Sequence, residues 1–145
     1  VTRAAGERRI LGLDPGERRV GLAVSDPLGI TAQGLETFDR RRDGDLLDRV
    51  RALLVEYDVE RIVVGYPLAL SGRETDSSRL ATELAGALRK TFDVPVDLWD
   101  ERLSSVEAER TLRGERAEKG AVDRVAAVLI LQGYLDAHRH RDVRP

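Results

Sequence analysis

The stretch Ile10-Leu11-Gly12-Leu13-Asp14-Pro15-Gly16-Glu17-Arg18-Arg19-Val20-Gly21-Leu22-Ala23-Val24-Ser25-Asp26 decides how the rest of the chain is read. An apolar run ends in a single acid, turns through Pro-Gly, and returns as a second apolar run. That pattern predicts a strand, a tight turn and an antiparallel partner strand, with Asp14 at the tip of the first strand. A carboxylate there stands where the sheet interior meets solvent, its direction fixed by apolar neighbours. It suits a divalent cation, provided other acids converge on it. The same residues are also ordinary turn chemistry: Asp starts the turn, Pro presets φ, and Gly tolerates unusual dihedrals. The segment alone leaves both readings open.

Working outward, Ile30 to Phe38 reads as a third strand that closes an antiparallel meander. After a polar connection over 40–45, Leu46, Leu47, Val50, Leu53 and Leu54 recur at helical spacing. Arg61 to Gly65 is a short apolar run, the pattern of a buried parallel strand. Leu80, Leu84, Ala87 and Leu88 mark a second amphipathic helix, and Val94 to Trp99 a fifth strand. Ser104-Ser105-Val106-Glu107 is a capping-box pattern that starts a third helix. Ala121 to Leu135 is apolar nearly all round, which predicts a buried last helix. The expectation is an α/β fold: a mixed five-stranded sheet, a meander plus parallel strands, flanked by helices. Ligands in such sheets bind beyond the carboxyl ends of the parallel strands.

A length of 145 residues suits one domain over 1–145, with 1–8 and 138–145 as flexible tails. Without cysteine there is no disulfide, thiol nucleophile or thiolate metal site. No stretch approaches the roughly 20 apolar residues of a membrane span. Residues 1–9 lack the apolar run of a signal peptide, and a cytoplasmic location is expected. The net charge of −2 argues mildly against a dedicated nucleic-acid binder. Yet of 24 basic residues only Lys90 and Lys119 are lysine, and arginine grips phosphate with a planar fork. A GC-rich genome yields the same bias, and the absence of Asn fits that explanation.

Two further acids bear on Asp14. Glu101 follows the fifth strand directly, and Asp123 lies in the first turn of the last helix. Each also suits a helix N-terminus, whose dipole favours negative charge. Taken together, Asp14 and Glu101 leave the same edge of one sheet, and a helix packed on that sheet aims Asp123 inward. Three such carboxylates repel one another, at about 4 kcal/mol per 4 Å pair at an effective dielectric of 20. Protonation or a bound cation relieves this. Oxygen ligands without His or Cys suit Mg²⁺ or Mn²⁺, and two such ions can drive phosphodiester hydrolysis. His138 and His140 fall in the polar tail, where solvation is expected. No Walker loop or Gly-x-Ser-x-Gly elbow competes.

At these residues the chain resembles the RuvX/YqgF family of Holliday junction resolvase-like proteins and pre-16S rRNA nucleases. The resemblance runs from Arg9 to about Asp136, on Leu11 to Gly16, Gly21 to Asp26, Asp100 to Ser104 and Val122 to Ala127. It implies a ribonuclease H-like fold and a Mg²⁺- or Mn²⁺-dependent nuclease, with Asp14, Glu101 and Asp123 as catalytic metal ligands. The substrate would be structured RNA, such as the 5′ end of precursor 16S rRNA, or branched DNA, with homodimerisation admitted. Where the family usually carries Asn in the loop after the fourth strand, this chain has Ala69, so strand positioning is lost or passes to Ser71. The segment 113–120, often strongly basic in the family, carries two acids here. Arg102 and Arg124 flank the acids and are candidate phosphate contacts; Arg18 and Arg19 are expected to pair on the surface, and Trp99 to pack. Two rivals stand beside the nuclease. One is a non-catalytic nucleic-acid-binding factor on the same fold. The other is a phosphotransferase, for which 145 residues supply only one of the two domains needed.

Overall fold

In the computed structural model the described residues are 9–66, 75–100 and 119–142; the side chains of 119–123 and 139–142 fall outside the description. The elements in chain order are β1 (Arg9–Asp14), β2 (Arg19–Ser25), β3 (Ala32–Gly34), β4 (Phe38–Asp39), α1 (Leu46–Glu56), β5 (Val59–Tyr66), α2 (Asp76–Thr91), β6 (Val96–Asp100) and α3 (Lys119–Asp142). The strands run β3-β2-β1-β5-β6 across one sheet, with β4 also paired to β2. β1 and β2 form the expected hairpin, in register from Leu11 opposite Val24 to Asp14 opposite Gly21. β5 joins β1 in parallel, and β6 joins β5 in parallel. The mixed sheet is therefore as expected, with six strands in place of five.

The extra strand arises where the third one breaks. Gly34 stands opposite Ala23, and the Leu35 amide still donates to the Leu22 carbonyl at 2.8 Å. Phe38 then pairs with Val20. Between Leu35 and Phe38 lie two residues, Glu36 and Thr37, where β2 has only Gly21. This is a β-bulge, and it separates β3 from β4.

Helices cover both faces. α1 starts at Asp45, whose carboxylate accepts from the Leu47 and Asp48 amides, and α2 at a Thr75–Ser78 capping box. Their buried residues Val50, Leu53, Ala81, Leu84 and Leu88 meet Leu11, Leu13, Val20, Leu22, Ile62 and Val64 of the strands. Strand alternation sends the intervening residues to the other face, beneath α3. There Ala23 meets Ala127, Leu131 and Leu135, and Val63 meets Ile130 and Tyr134. Gly12 permits a close approach: a Cβ at that position would lie 3.0 Å from Leu131 Cβ.

α3 differs from the sequence expectation in two ways. It is not buried all round: Ala127, Ile130, Leu131, Tyr134 and Leu135 are buried, while Val125, Ala126, Leu129 and Gly133 are half-buried and Arg124 is exposed. A uniformly apolar sequence sets no orientation, and the sheet selects one stripe. The helix also continues to Asp142, past the Leu135 at which the apolar pattern ends. His138 stacks on Tyr134 with ring centroids 4.0 Å apart, in place of the expected solvation.

Candidate active site

Asp14 is the last residue of β1, the central strand of the sheet, and it is half-buried. Leu11 and Leu13 face α1 and α2, so alternation turns Asp14 to the α3 face. Its cross-strand partner on β2 is Gly21. On the other side, one step beyond the pairing of Leu13 with Val64, stands Gly65. Both neighbours in that row are buried glycines. Sequence reading missed this row because each glycine sits in a different strand and only register aligns them.

The turn after Asp14 is held from outside. The Arg40 guanidinium donates through Nε to the Gly16 carbonyl at 3.1 Å, and the Arg40 amide donates to the Arg18 carbonyl at 2.8 Å. Gly16 supplies room where unusual dihedrals were expected: its φ is not positive, and a Cβ would fall 2.5 Å from the Arg19 carbonyl oxygen. Nearby charges are engaged locally. Arg18 Nε lies 3.4 Å from Asp39 Oδ2, the expected surface pairing. The Arg41 amide, with Arg18, holds the Asp39 carboxyl below its ordinary range. Arg42 and the Asp39 amide hold Asp43 at about 2. These arginines balance neighbouring acids.

Asp26, part of the motif that carries the family resemblance, lies beyond the opposite end of β2 from Asp14's partner Gly21. Its Oδ1 accepts from the Ile30 and Thr31 amides at 2.7 and 2.9 Å. Burial raises its pKa, but the amides of Thr31, Ile30 and Leu28 outweigh that and lower it. Its work is to fix the β2–β3 turn.

β6 ends at Asp100, paired with Tyr66, at the same carboxyl edge as Asp14. Two strand spacings, about 10 Å, separate β1 from β6. Glu101, Arg102 and Ser71 lie outside the described residues. Asp123 occupies α3 four residues before Ala127 and eight before Leu131. Helical periodicity sets that backbone position on the stripe that crosses β1, one turn nearer the N-terminus of α3. Its side chain is outside the description. Arg124 is exposed and lies over β3, with Nε donating to the Leu35 carbonyl at 3.2 Å.

On the far flank of the same face, a cluster that sequence reading did not assemble ties β5 and β6 to α3. Asp97 Oδ2 accepts from Arg61 Nη1 at 2.6 Å and from the Tyr134 hydroxyl at 2.8 Å. Trp99 packs edge-on to Tyr134 at 5.5 Å, the packing role expected of it. Burial first, then the hydrogen bond to Asp97, pushes the Tyr134 phenol up to about 12.

Among the described residues no three of His, Cys, Asp or Glu gather in a metal-binding group. Of the three proposed ligands, only the Asp14 side chain is described. A carboxylate donor set suits a hard cation such as Mg²⁺ or Mn²⁺ and does not suit Zn²⁺. Among the described residues no helix is long and apolar enough to cross a membrane.

Comparison with known proteins agrees with this architecture. A family model described as "RuvX: Holliday junction resolvase" matches residues 8–137. A Koribacter versatilis protein named "Putative pre-16S rRNA nuclease" is 52% identical over 132 residues, covering 88% of this chain and 86% of the relative. A Geobacillus kaustophilus protein of the same name is 45% identical over 137 residues, covering 90% and 99%. Among solved structures, T. thermophilus RuvC in complex with a Holliday junction substrate superposes with a TM-score of 0.56 at 19% identity, covering 91% and 96%. Fowlpox virus resolvase with its Holliday junction DNA gives 0.51 at 12%, covering 89% and 97%. These two share the fold, the ribonuclease H-like arrangement of the resolvases. On the family match and these relatives together, the chain belongs to the RuvX/YqgF family.

Proposed function

We propose that this chain is a nuclease that hydrolyses phosphodiester bonds of nucleic acid. It acts as an endonuclease with Mg²⁺ or Mn²⁺, on structured RNA such as precursor 16S rRNA or on branched DNA such as a Holliday junction. Asp14, Glu101 and Asp123 are the proposed ligands and catalytic acids, and Arg102, Arg124 and Ser71 the proposed substrate contacts. A cytoplasmic location goes with this reading. The observation that carries it is the row at the end of β1, where a half-buried carboxylate stands between two glycines on the face covered by α3. When bound, divalent ions at such a site activate a water and offset charge developing on the phosphodiester. The protein's part is to hold the acids at fixed distances, and Asp14 is suited to this because it ends the central strand and its turn is fastened by Arg40.

The test is cleavage of matched precursor 16S rRNA and four-way DNA junctions by the purified protein in Mg²⁺ and in Mn²⁺. Asp14→Asn should lower the rate at least about 10³-fold while the melting temperature shifts by only about 2 °C. Full activity in that variant removes the catalytic assignment. Binding without cleavage by the wild-type chain leaves the non-catalytic binding factor in its place.

A further inference from the structure

Gly34 belongs to the edge strand β3, and a Cβ added there would lie 2.3 Å from Arg124 Cγ, 2.7 Å from its Cδ and 3.3 Å from Val128 Cγ2. The arginine stem therefore crosses β3 at a position where the strand presents bare backbone. Beyond the crossing, Arg124 Nε is tied to the Leu35 carbonyl at 3.2 Å. Leu35 is itself fixed, because its amide donates to the Leu22 carbonyl at 2.8 Å. The bulge at Glu36 and Thr37 begins directly after this anchor. Among the described residues no carboxylate pairs with the Arg124 guanidinium, and the residue is exposed.

As a stabilising device this arrangement is poor. Glycine weakens a strand, and an edge strand has little to spare; the return is one solvent-exposed hydrogen bond. What the arrangement achieves is order: a long side chain is seated, its Nε is engaged, and both terminal nitrogens remain to present the planar fork. That fork matches the oxygens of a phosphate.

We propose that Gly34 is a positioning residue, whose absent side chain forms the seat that aims the Arg124 guanidinium at a backbone phosphate of the bound nucleic acid. The identity of the ligand rests on the nuclease reading, so the test reads binding apart from cleavage. Affinity of a fluorescent four-way DNA junction and of a fluorescent stem–loop RNA is measured in EDTA, between about 50 and about 200 mM salt. Arg124→Ala and Arg124→Gln should each weaken binding about 5-fold and reduce the salt slope by about 1. Gly34→Ala should do the same, and the double variant Gly34→Ala/Arg124→Ala should bind no more weakly than Arg124→Ala alone. Melting curves check that each variant is folded, and should Gly34→Ala not fold, Arg124→Gln still tests the contact. Wild-type affinity and slope in Arg124→Gln overturn the assignment, as does a Gly34→Ala effect that adds fully to that of Arg124→Ala. Those results with metal-dependent cleavage intact leave the nuclease reading standing. The expected slopes without cleavage by the wild-type chain remove that reading and keep the phosphate contact.

Discussion

Towards α1 and α2 the three central strands present Leu11, Leu13, Val20, Leu22, Val24, Ile62 and Val64, all essentially inaccessible to solvent. Towards α3 the same strands present Ile10, Gly12, Asp14, Gly21, Ala23, Ser25, Arg61, Val63 and Gly65. One backbone serves both faces, and strand alternation keeps the two sets apart. The first face removes large aliphatic groups from water, at roughly 1.5–3 kcal/mol for each side chain, and supplies most of the stability. The second lets a helix approach closely over small residues and leaves polar groups at the strand ends. Where Ser25 is buried there, its Oγ accepts the Ile10 amide at 2.8 Å, so the polar group is satisfied. The division of labour is that the bulky face holds the sheet rigid, so that the sparse face can hold Asp14 in place.

The strongest challenge to that division is Ile62→Ala. Ile62 is fully buried on the α1/α2 face, and the truncation should cost about 3 kcal/mol, lowering the melting temperature by about 10 °C. Well below that melting temperature, cleavage per folded molecule should be unchanged. Urea denaturation and initial rates on the same preparation measure both quantities. A fall in rate at full folding would show that the two faces are not separable.

Gly12→Ala probes the other face, with the opposite pattern. Its Cβ would press on Leu131 Cβ at 3.0 Å, and the helix must give by a few tenths of an ångström. Stability should fall by about 1–2 kcal/mol. The proposed ligand Asp123 lies two turns before Leu131 on α3, so cleavage per folded molecule should also fall, by about 10-fold. An unchanged rate per folded molecule would mean that α3 is packing alone.

How much of this was legible in the sequence follows the same line. The β1–β2 hairpin was legible because apolar alternation, turn residues and the single acid all agree over 10–26. The parallel strand β5 was legible as an uninterrupted apolar run. The bulge was not, since inserting one residue leaves the run from Ile30 to Phe38 looking like a strand; only the pairing with β2 exposes it. The orientation of α3 was not legible either, because apolar residues all around a helix carry no phase. The sequence sets His138 among polar residues that are not its neighbours in space; Tyr134, one turn away, stacks on it. At the candidate site, Asp14 was legible from the turn. The glycines beside it and the Gly34 seat for Arg124 were not, because both exist only through register between separate strands or between strand and helix.

The smallest expected effect comes from the cluster at the β6 side, which neither face's dominant residue type explains. Tyr134→Phe keeps the ring and removes the hydroxyl that donates to Asp97 at 2.8 Å. Near neutral pH the loss should be about 1 kcal/mol, because Arg61 still pairs with Asp97. The pH dependence then identifies the group. Folding raises the phenol from 10.0 to about 12, through burial and the Asp97 carboxylate. A raised pKa means that the folded state favours the protonated form. That stabilisation is complete below pH 10 and drains away as pH rises towards about 12. The stability difference between wild type and Tyr134→Phe should therefore be constant from neutral pH to the onset of phenol ionisation and shrink above it. Tyr57, also raised by Glu56 and burial, contributes equally to both proteins and cancels in the difference. Urea midpoints across that range test it, and a difference that stays flat to the alkaline limit would show that the hydroxyl is not engaged with Asp97 in solution. A marked loss of cleavage in the same variant would go further. It would mean that the strand ending at Asp100 depends on this tie to hold its carboxyl end, and the sparse face would then act as one unit from Asp14 to Tyr134.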